Sequence, residues 1–459
     1  MLTKLVQFFY PDIQKDEVKK FSLLALAFVF TVGTYWIMRL LKDVVLYKIA
    51  FPTSLGWSSD TGRLWIPTVK TLSPLFVLFL VLIYNKLVDL LKKHTLIYVI
   101  ASFYIVVFSV MTGILLLKNT YGDAFLGKNI LAASGILGYL FTESFGSLMI
   151  ALFWSFTVSS CTADQAKRTF PFIIAVGQLG AIIGSSLFLI NTNILWPFYA
   201  IVVLCLGLLV TTIKYLVKTV PDSDMTTDVS DKKKPSNLFS GFTLLITQPY
   251  LIGVLIVSTF YDISGIIVEY QMDSQASIMF DDKTFTWFKG IYGISINTLA
   301  FFMALLGTNY IIKRFGTQIS LLIYPSLFAL ALLALYGYYL HTPSPLALLW
   351  ATFGVMLVVK ATLYAINNPV REMMYIPTSK DVRFKTKSII DMVGLRSAKM
   401  TGAQIGGSLN VLNNPIASIH NLMLYGSLIS LGIIGVWVAA AIYVGAKNKQ
   451  LVDSGKIIE

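Results

Sequence analysis

Charged side chains interrupt stretches of this sequence that are otherwise apolar. Arg39, Lys42 and Asp43 occur in TYWIMRLLKDVV, Lys70 in IPTVKTLSP, Glu143 in YLFTESFGS, and Asp262 with Glu269 in YDISGIIVEYQ. Lys360 follows, then Arg371 beside Glu372, and Asp391, Arg396 and Lys399 share KSIIDMVGLRSAKMTGAQ. At the centre of a bilayer each such charge costs about 2.5–3.5 kcal/mol, so each needs a partner, water or a function. An excess of cations over anions in a cavity suits a polyanionic substrate that cannot cross lipid unaided. Phosphates are the natural candidates, because Arg offers them a bidentate fork and Lys a compact charge. Tyr35, Trp36, Tyr270 and Tyr364 lie near the same charges. They can stack on a base or hold cationic side chains, and plain core packing accounts for them equally well.

Spacing sorts these residues further. Arg39 and Asp43 are four apart and share a helix face, while Arg396 and Lys399 are three apart on another. A salt bridge that locks one transport state is the competing reading for Arg39 with Asp43 and for Arg371 with Glu372. Lys42 can snorkel to the surface. Lys70 and Lys399 have no acidic residue within a helical turn in sequence, which favours a binding role for both. Glu143 and Glu269 can carry a proton, accept from a substrate amine or hydroxyl, or balance the cations. The expected substrate-binding set is therefore Arg39, Lys42, Lys70, Glu143, Glu269, Asp391, Arg396 and Lys399. Lys387, Arg371 and Asp43 are candidates for phosphate contact or gating, and Tyr35, Trp36 and Tyr270 for base stacking. No GxxxxGK[ST] loop, HExxH pair or serine-nucleophile motif is present, and the chain has three His. The phosphates are expected to be carried and not cleaved, with no metal or cofactor.

The elements that must position these side chains are membrane helices. The 459 residues are 56% hydrophobic and 13% charged, with a mean hydropathy of +0.74, whereas soluble chains are about 25% charged. Roughly 20 apolar residues cross a hydrocarbon core of about 30 Å. Twelve such spans are expected, near 21–47, 64–88, 95–118, 129–160, 169–190, 194–217, 244–272, 284–312, 317–341, 346–376, 384–411 and 416–446. None alternates as a barrel strand would, so the class is an all-α membrane protein. The net charge of +13 is mostly topology and does not point to nucleic acid. Basic residues crowd every second connection, as at Lys19 and Lys20, Lys92 and Lys93, Lys167 and Arg168, Lys232 to Lys234, and Lys313 and Arg314. The positive-inside rule then places both termini in the cytoplasm. The first twenty residues lack signal-peptide character and read as a short amphipathic lead-in. Cys161 and Cys205 indicate no disulfide framework.

GAIIGSSL at 180–187 recurs as GAQIGGSL at 402–409, 222 positions on, with six of eight residues unchanged. The polar run PDSDMTTDVSDKKKPSN lies midway and reads as a flexible linker. The expected organisation is an N-terminal six-helix bundle at 1–219, a cytoplasmic linker at 220–240 and a C-terminal six-helix bundle at 241–459. The halves would be parallel repeats of the major facilitator kind. Glycines at four-residue spacing let helices approach closely, and in such a fold spans one, four, seven and ten line the cavity.

At these same residues the chain resembles the non-mitochondrial nucleotide transporters, the ATP/ADP translocases of intracellular bacteria and plastids. MRLLKDVVL resembles the family's first-span Arg and Lys-Asp motif. FTESFGSLMIALFWSFT with ADQAKRTFPFI resembles its fourth-span segment and the connection that follows. NPVREMMYIPTSKDVRFKTKSIIDMVGLRSAKMTG resembles its tenth-to-eleventh-span stretch. Ser144, Phe145, Thr386, Met400 and Ala403 depart from the family pattern. The resemblance implies transport roles for Lys70, Glu143, Glu269 and one of Lys387 and Lys399, with Arg39 and Lys42 in the first-span motif. The expected protein is a monomeric carrier in a bacterial inner membrane that exchanges ADP, with or without phosphate, for ATP. A proton-coupled nucleotide importer and a sugar-phosphate or organic-anion carrier are the rival readings, ahead of a non-transporting receptor.

Overall fold

The computed structural model describes residues 13–220 and 238–458 with Gln7 and Tyr10, apart from Asn191, Gly307, Thr342, Pro343, Lys380, Asp381, 383–385, Ser388 and Leu412. Almost all of the expected linker, including Lys232 to Lys234, lies outside the described residues, as do Arg383 and Lys385. The described chain is nearly all helix. Among the described residues ten helices are long and apolar enough to cross a membrane.

In chain order the helices that matter for the site are α1 (Glu17–Val44), α2 (Thr61–Leu90), α3 (Lys93–Tyr121), α4 (Asp123–Ser159), α5 (Ala163–Ser186) and α6 (Trp196–Thr219). They are followed by α7 (Leu238–Thr247), α8 (Pro249–Met279), α9 (Asp282–Leu306), α10 (Thr308–Leu340), α11 (Pro345–Thr362), α12 (Asn368–Met373), α13 (Leu395–Ser408), α14 (Pro415–Asn421) and α15 (Ser427–Asp453). The expected eighth span corresponds to α9, and the eleventh to a π-helical turn at Ile390–Gly394 running into α13. Gly127 in α4 and Gly316 in α10 have φ of 75° and 69°, left-handed angles that bend each helix shortly after its start.

The helices group into two compact units. The first comprises Met1–Gly62, Leu75–Asp231 and Asp281–Asn297, and the second Arg63–Pro74, Lys232–Phe280 and Thr298–Glu459. Two helices are therefore shared. α2 changes unit at Pro74, a proline inside the helix that removes one backbone hydrogen bond. α9 changes unit after Asn297. At the start of α9, Asp281 Oδ1 accepts from the Thr284 amide at 3.0 Å, and hydrogen bonding to Thr284 holds the Asp281 carboxyl below its ordinary range.

The repeated glycine phrase does the same work in each unit. In the first, a Cβ on Gly180 would lie 2.4 Å from the Val29 carbonyl oxygen, and one on Gly184 2.6 Å from that of Gly33, so α5 packs backbone to backbone on α1. In the second, a Cβ on Gly402 would lie 2.6 Å from the Ile263 carbonyl oxygen and one on Gly406 2.9 Å from the Tyr270 ring, so α13 packs on α8 in the same manner. Without a hydrophobic driving force between helices in lipid, such close packing is a main source of cohesion. Gly180→Ala and Gly402→Ala must push helices apart, at about 1–3 kcal/mol each. Both variants are expected to unfold several degrees below wild type in detergent. Gly207→Ala, whose added methyl meets nothing within 4 Å, should not; equal melting temperatures for all three would contradict this packing.

Aromatic stacks fill the interiors. Phe28 stacks on Phe153 at 4.7 Å in the first unit, where Tyr104, Phe108 and Tyr199 form a second stack. Trp437 packs edge-on to Tyr324 in the second. Every residue of α8 from Ser264 to Ala276 is buried, which makes it the central helix of its unit and Glu269 an interior group.

Candidate functional site

In the first unit the last three turns of α1 carry Tyr35, Trp36, Arg39, Lys42 and Asp43. Successive helical residues diverge by about 100°, so Lys42 and Asp43 address different neighbours. Lys42 is buried, forms an ion pair with Glu143 of α4, and holds its ammonium 3.9 Å from the centre of the Tyr139 ring, one turn earlier on the same face of α4. Asp43 instead meets Lys289 of α9 at 2.9 Å. Lys289 is only 1% exposed and also lies over the Tyr292 ring. The Arg39 guanidinium lies 4.8 Å above the Trp36 indole. The Tyr35 ring rests where a Cβ on Gly146 would be, 2.5 Å away, so Gly146 is what admits it. Of the family departures, Ser144 shares a 2.9 Å hydrogen bond with Tyr104, and Phe145 packs edge-on to the same ring.

In the second unit Glu269 of α8 pairs with Lys360 of α11 at 3.2 Å, both buried. Arg371 donates to the Tyr261 hydroxyl at 3.3 Å and faces Asp391 at 3.9 Å. Its sequence neighbour Glu372 pairs with Lys387. Adjacent helical positions point apart, and each residue of the Arg371 and Glu372 doublet has a partner of its own from another segment. Lys70 belongs to this unit, on the stretch of α2 that precedes Pro74. That stretch is tied down by polar contacts: Arg63 donates to Asn410 Oδ1 at 2.6 Å, Asn410 to the Tyr270 hydroxyl at 2.6 Å, and Tyr270 to the Arg63 carbonyl at 3.0 Å. Tyr270 is fully packed, so the structure gives it a core and hydrogen-bonding role in place of a base-stacking surface. Arg396 is half-buried and Lys399 exposed.

Three π-helical turns flank these groups, Val45–Ile49 after Asp43, Leu363–Asn367 between Lys360 and Arg371, and Ile390–Gly394 around Asp391. Each inserts an extra residue and re-aims the side chains beyond it, a feature that clusters at functional sites.

One residue of these pairs is missing from the sequence reading: Lys289, which falls inside the expected span at 284–312, where the same cost argument applies to it. Lys360 stands out in the sequence as an expensive charge, but its partner is 91 positions away.

The family model for the TLC ATP/ADP transporter matches residues 1–121 and 131–447. The chain belongs to this family. The family resemblance drawn from the motifs is thereby confirmed. Among relatives, it is 25% identical to ADP,ATP carrier protein 2, chloroplastic, of Arabidopsis thaliana, over 94% of this chain and 74% of that one. It is 25% identical to ADP,ATP carrier protein 1 of Chlamydia trachomatis serovar D, over 95% and 90%, and 23% to that of Rickettsia typhi, over 99% and 98%. Among solved structures this TLC family member aligns with the nucleoside transporter NupG at a TM-score of 0.61 and 13% identity, covering 92% of this chain and 98% of that one. It aligns with a D-xylose-proton symporter at 0.64 and 11%, covering 92% and 96%. At that identity the likeness is one of fold, and it is the major facilitator architecture.

Proposed function

We propose that this protein exchanges ADP for ATP by alternating access, in a bacterial inner membrane with both termini in the cytoplasm. The observation that carries the reading is the run of Arg39 and Lys42 at the end of α1, one cation on an indole face and the other buried against Glu143 and Tyr139, in a chain of the TLC family. Arg supplies a fork and Lys a point charge, together a receptor for a polyphosphate. Tyr35 is the half-buried aromatic beside them and is the assigned base contact. The relatives are ADP,ATP carriers, which supports the same nucleotides for this chain. The orientation rests on the alternation of basic connections. Lys70, Lys387, Arg371, Arg396 and Lys399 of the second unit are assigned to phosphate contact or gating, and Glu269 and Asp391 to balancing those cations. Two six-helix bundles joined by the linker at 220–240 remain the proposed organisation.

The substrate is tested by uptake of labelled ATP into proteoliposomes with unlabelled competitors. ADP is expected to compete strongly, and a sugar phosphate or xylose not at all; competition by sugar phosphate equal to that by ADP would overturn the substrate assignment. In the same assay Lys70→Ala and Lys399→Ala should each cut the rate by about tenfold or more, the worth of one charge-assisted contact of about 1.5–3 kcal/mol. Exposed Lys449→Ala should leave it unchanged, and three equal rates would remove Lys70 and Lys399 from the site.

A further inference from the structure

We propose that Lys360 is a substrate-engaging cation of the second unit, and that Glu269 covers it in the empty carrier and so sets a charge threshold for the ligand. The inference rests on the ATP/ADP reading above. In the first unit the buried lysine, Lys42, stands on the expected first span and its carboxylate, Glu143, on the fourth. In the second the carboxylate, Glu269, stands on the expected seventh span and the lysine, Lys360, on the tenth. Corresponding helices of the repeat thus carry the same ion pair with the signs exchanged. In both units the two side chains are less than one-third exposed, and in both a π-helical turn follows the lysine within a few residues.

A pair of this kind is a poor way to make a membrane protein stable. Two opposite charges taken out of water recover in mutual attraction about what they lost in hydration, and apolar side chains of equal volume serve as well or better. What the arrangement does provide is a cation whose charge is balanced by the carboxylate until something more strongly anionic arrives. A carboxylate holds the ammonium with one negative charge. A ligand takes the ammonium over only if its own charge exceeds what the carboxylate offers, which favours di- and triphosphates over a monophosphate and excludes an uncharged nucleoside. Glu269 is then the discriminating element: it weakens every ligand, and the weakly charged ones most.

The test is ATP/ADP exchange in proteoliposomes by wild type, Glu269→Gln, Lys360→Arg and the double variant Lys360→Met with Glu269→Met, each with AMP, ADP and adenosine as competitors. Glu269→Gln is expected to improve AMP relative to ADP as competitor by about tenfold, with adenosine still inert. Lys360→Arg should retain exchange. The double variant removes both charges at nearly constant volume, so it is expected to melt within a few degrees of wild type yet lose exchange by at least about 100-fold. A double variant that exchanges at the wild-type rate would make the pair structural, and an unchanged AMP-to-ADP ratio in Glu269→Gln would remove the threshold. A wild-type protein that exchanges no adenine nucleotide would sink the substrate reading itself, a result separate from either of these.

Discussion

Lys42→Ala is expected to reduce ATP/ADP exchange by at least about 100-fold while the protein still inserts and can be purified. Two losses combine. The first is the charge-assisted contact to a phosphate, worth about 1.5–3 kcal/mol. The second is the loss to Glu143 of the ammonium with which it forms an ion pair. Breaking a buried pair from one side costs about 3–5 kcal/mol, and part of that is relieved here because the Glu143 carboxylate is more exposed than the ammonium, 28% against 8%. Each 1.4 kcal/mol is a factor of ten, so the contact alone accounts for one to two decades. Lys42→Arg separates charge from shape: it keeps the cation over Tyr139 but enlarges it, and should retain a measurable fraction of the exchange. Wild-type exchange by Lys42→Ala would place the phosphates elsewhere.

The second large effect is on stability. Lys289→Ala leaves the Asp43 carboxylate, 14% exposed, without the ammonium 2.9 Å away. At about 3–5 kcal/mol and roughly 2–4 °C for each kcal/mol, the melting temperature in detergent should fall by about 10 °C. Adding Asp43→Asn should restore more than half of the loss, because the stranded charge is then gone. Single and double variants that melt together with wild type would show that Lys289 does not hold α9 in the first unit.

The sequence made the expensive residues visible and hid their partners. Charges in TYWIMRLLKDVV or YDISGIIVEYQ stand out because lipid penalises them, and the glycine phrases stand out because they recur; both kinds of signal are local. Pairing is not local. Helical spacing joined Arg39 to Asp43 and sequence adjacency joined Arg371 to Glu372, but the folded chain gives Asp43 to Lys289, Arg371 to Asp391 and Glu372 to Lys387. Lys42 and Glu143 both stand out as candidates, yet they lie 101 positions apart and nothing in the stretch between joins one to the other. Tyr270 shows the same limit. An aromatic beside a buried acid reads as a stacking surface, and only the approach of Arg63 and Asn410 from distant stretches turns it into a hydrogen-bonding post. The shared helices were equally illegible, since Pro74 is one of two prolines inside α2 and only the packing shows that the helix changes unit there.

Exchange is the central claim, and counter-substrate dependence tests it most directly. Purified protein in liposomes loaded with ADP, with buffer, or with buffer under an inward proton gradient should take up labelled ATP only in the first case. Uptake into empty vesicles driven by the proton gradient, and abolished by a protonophore, would contradict exchange and move the coupling role to the carboxylates Glu143 and Glu269.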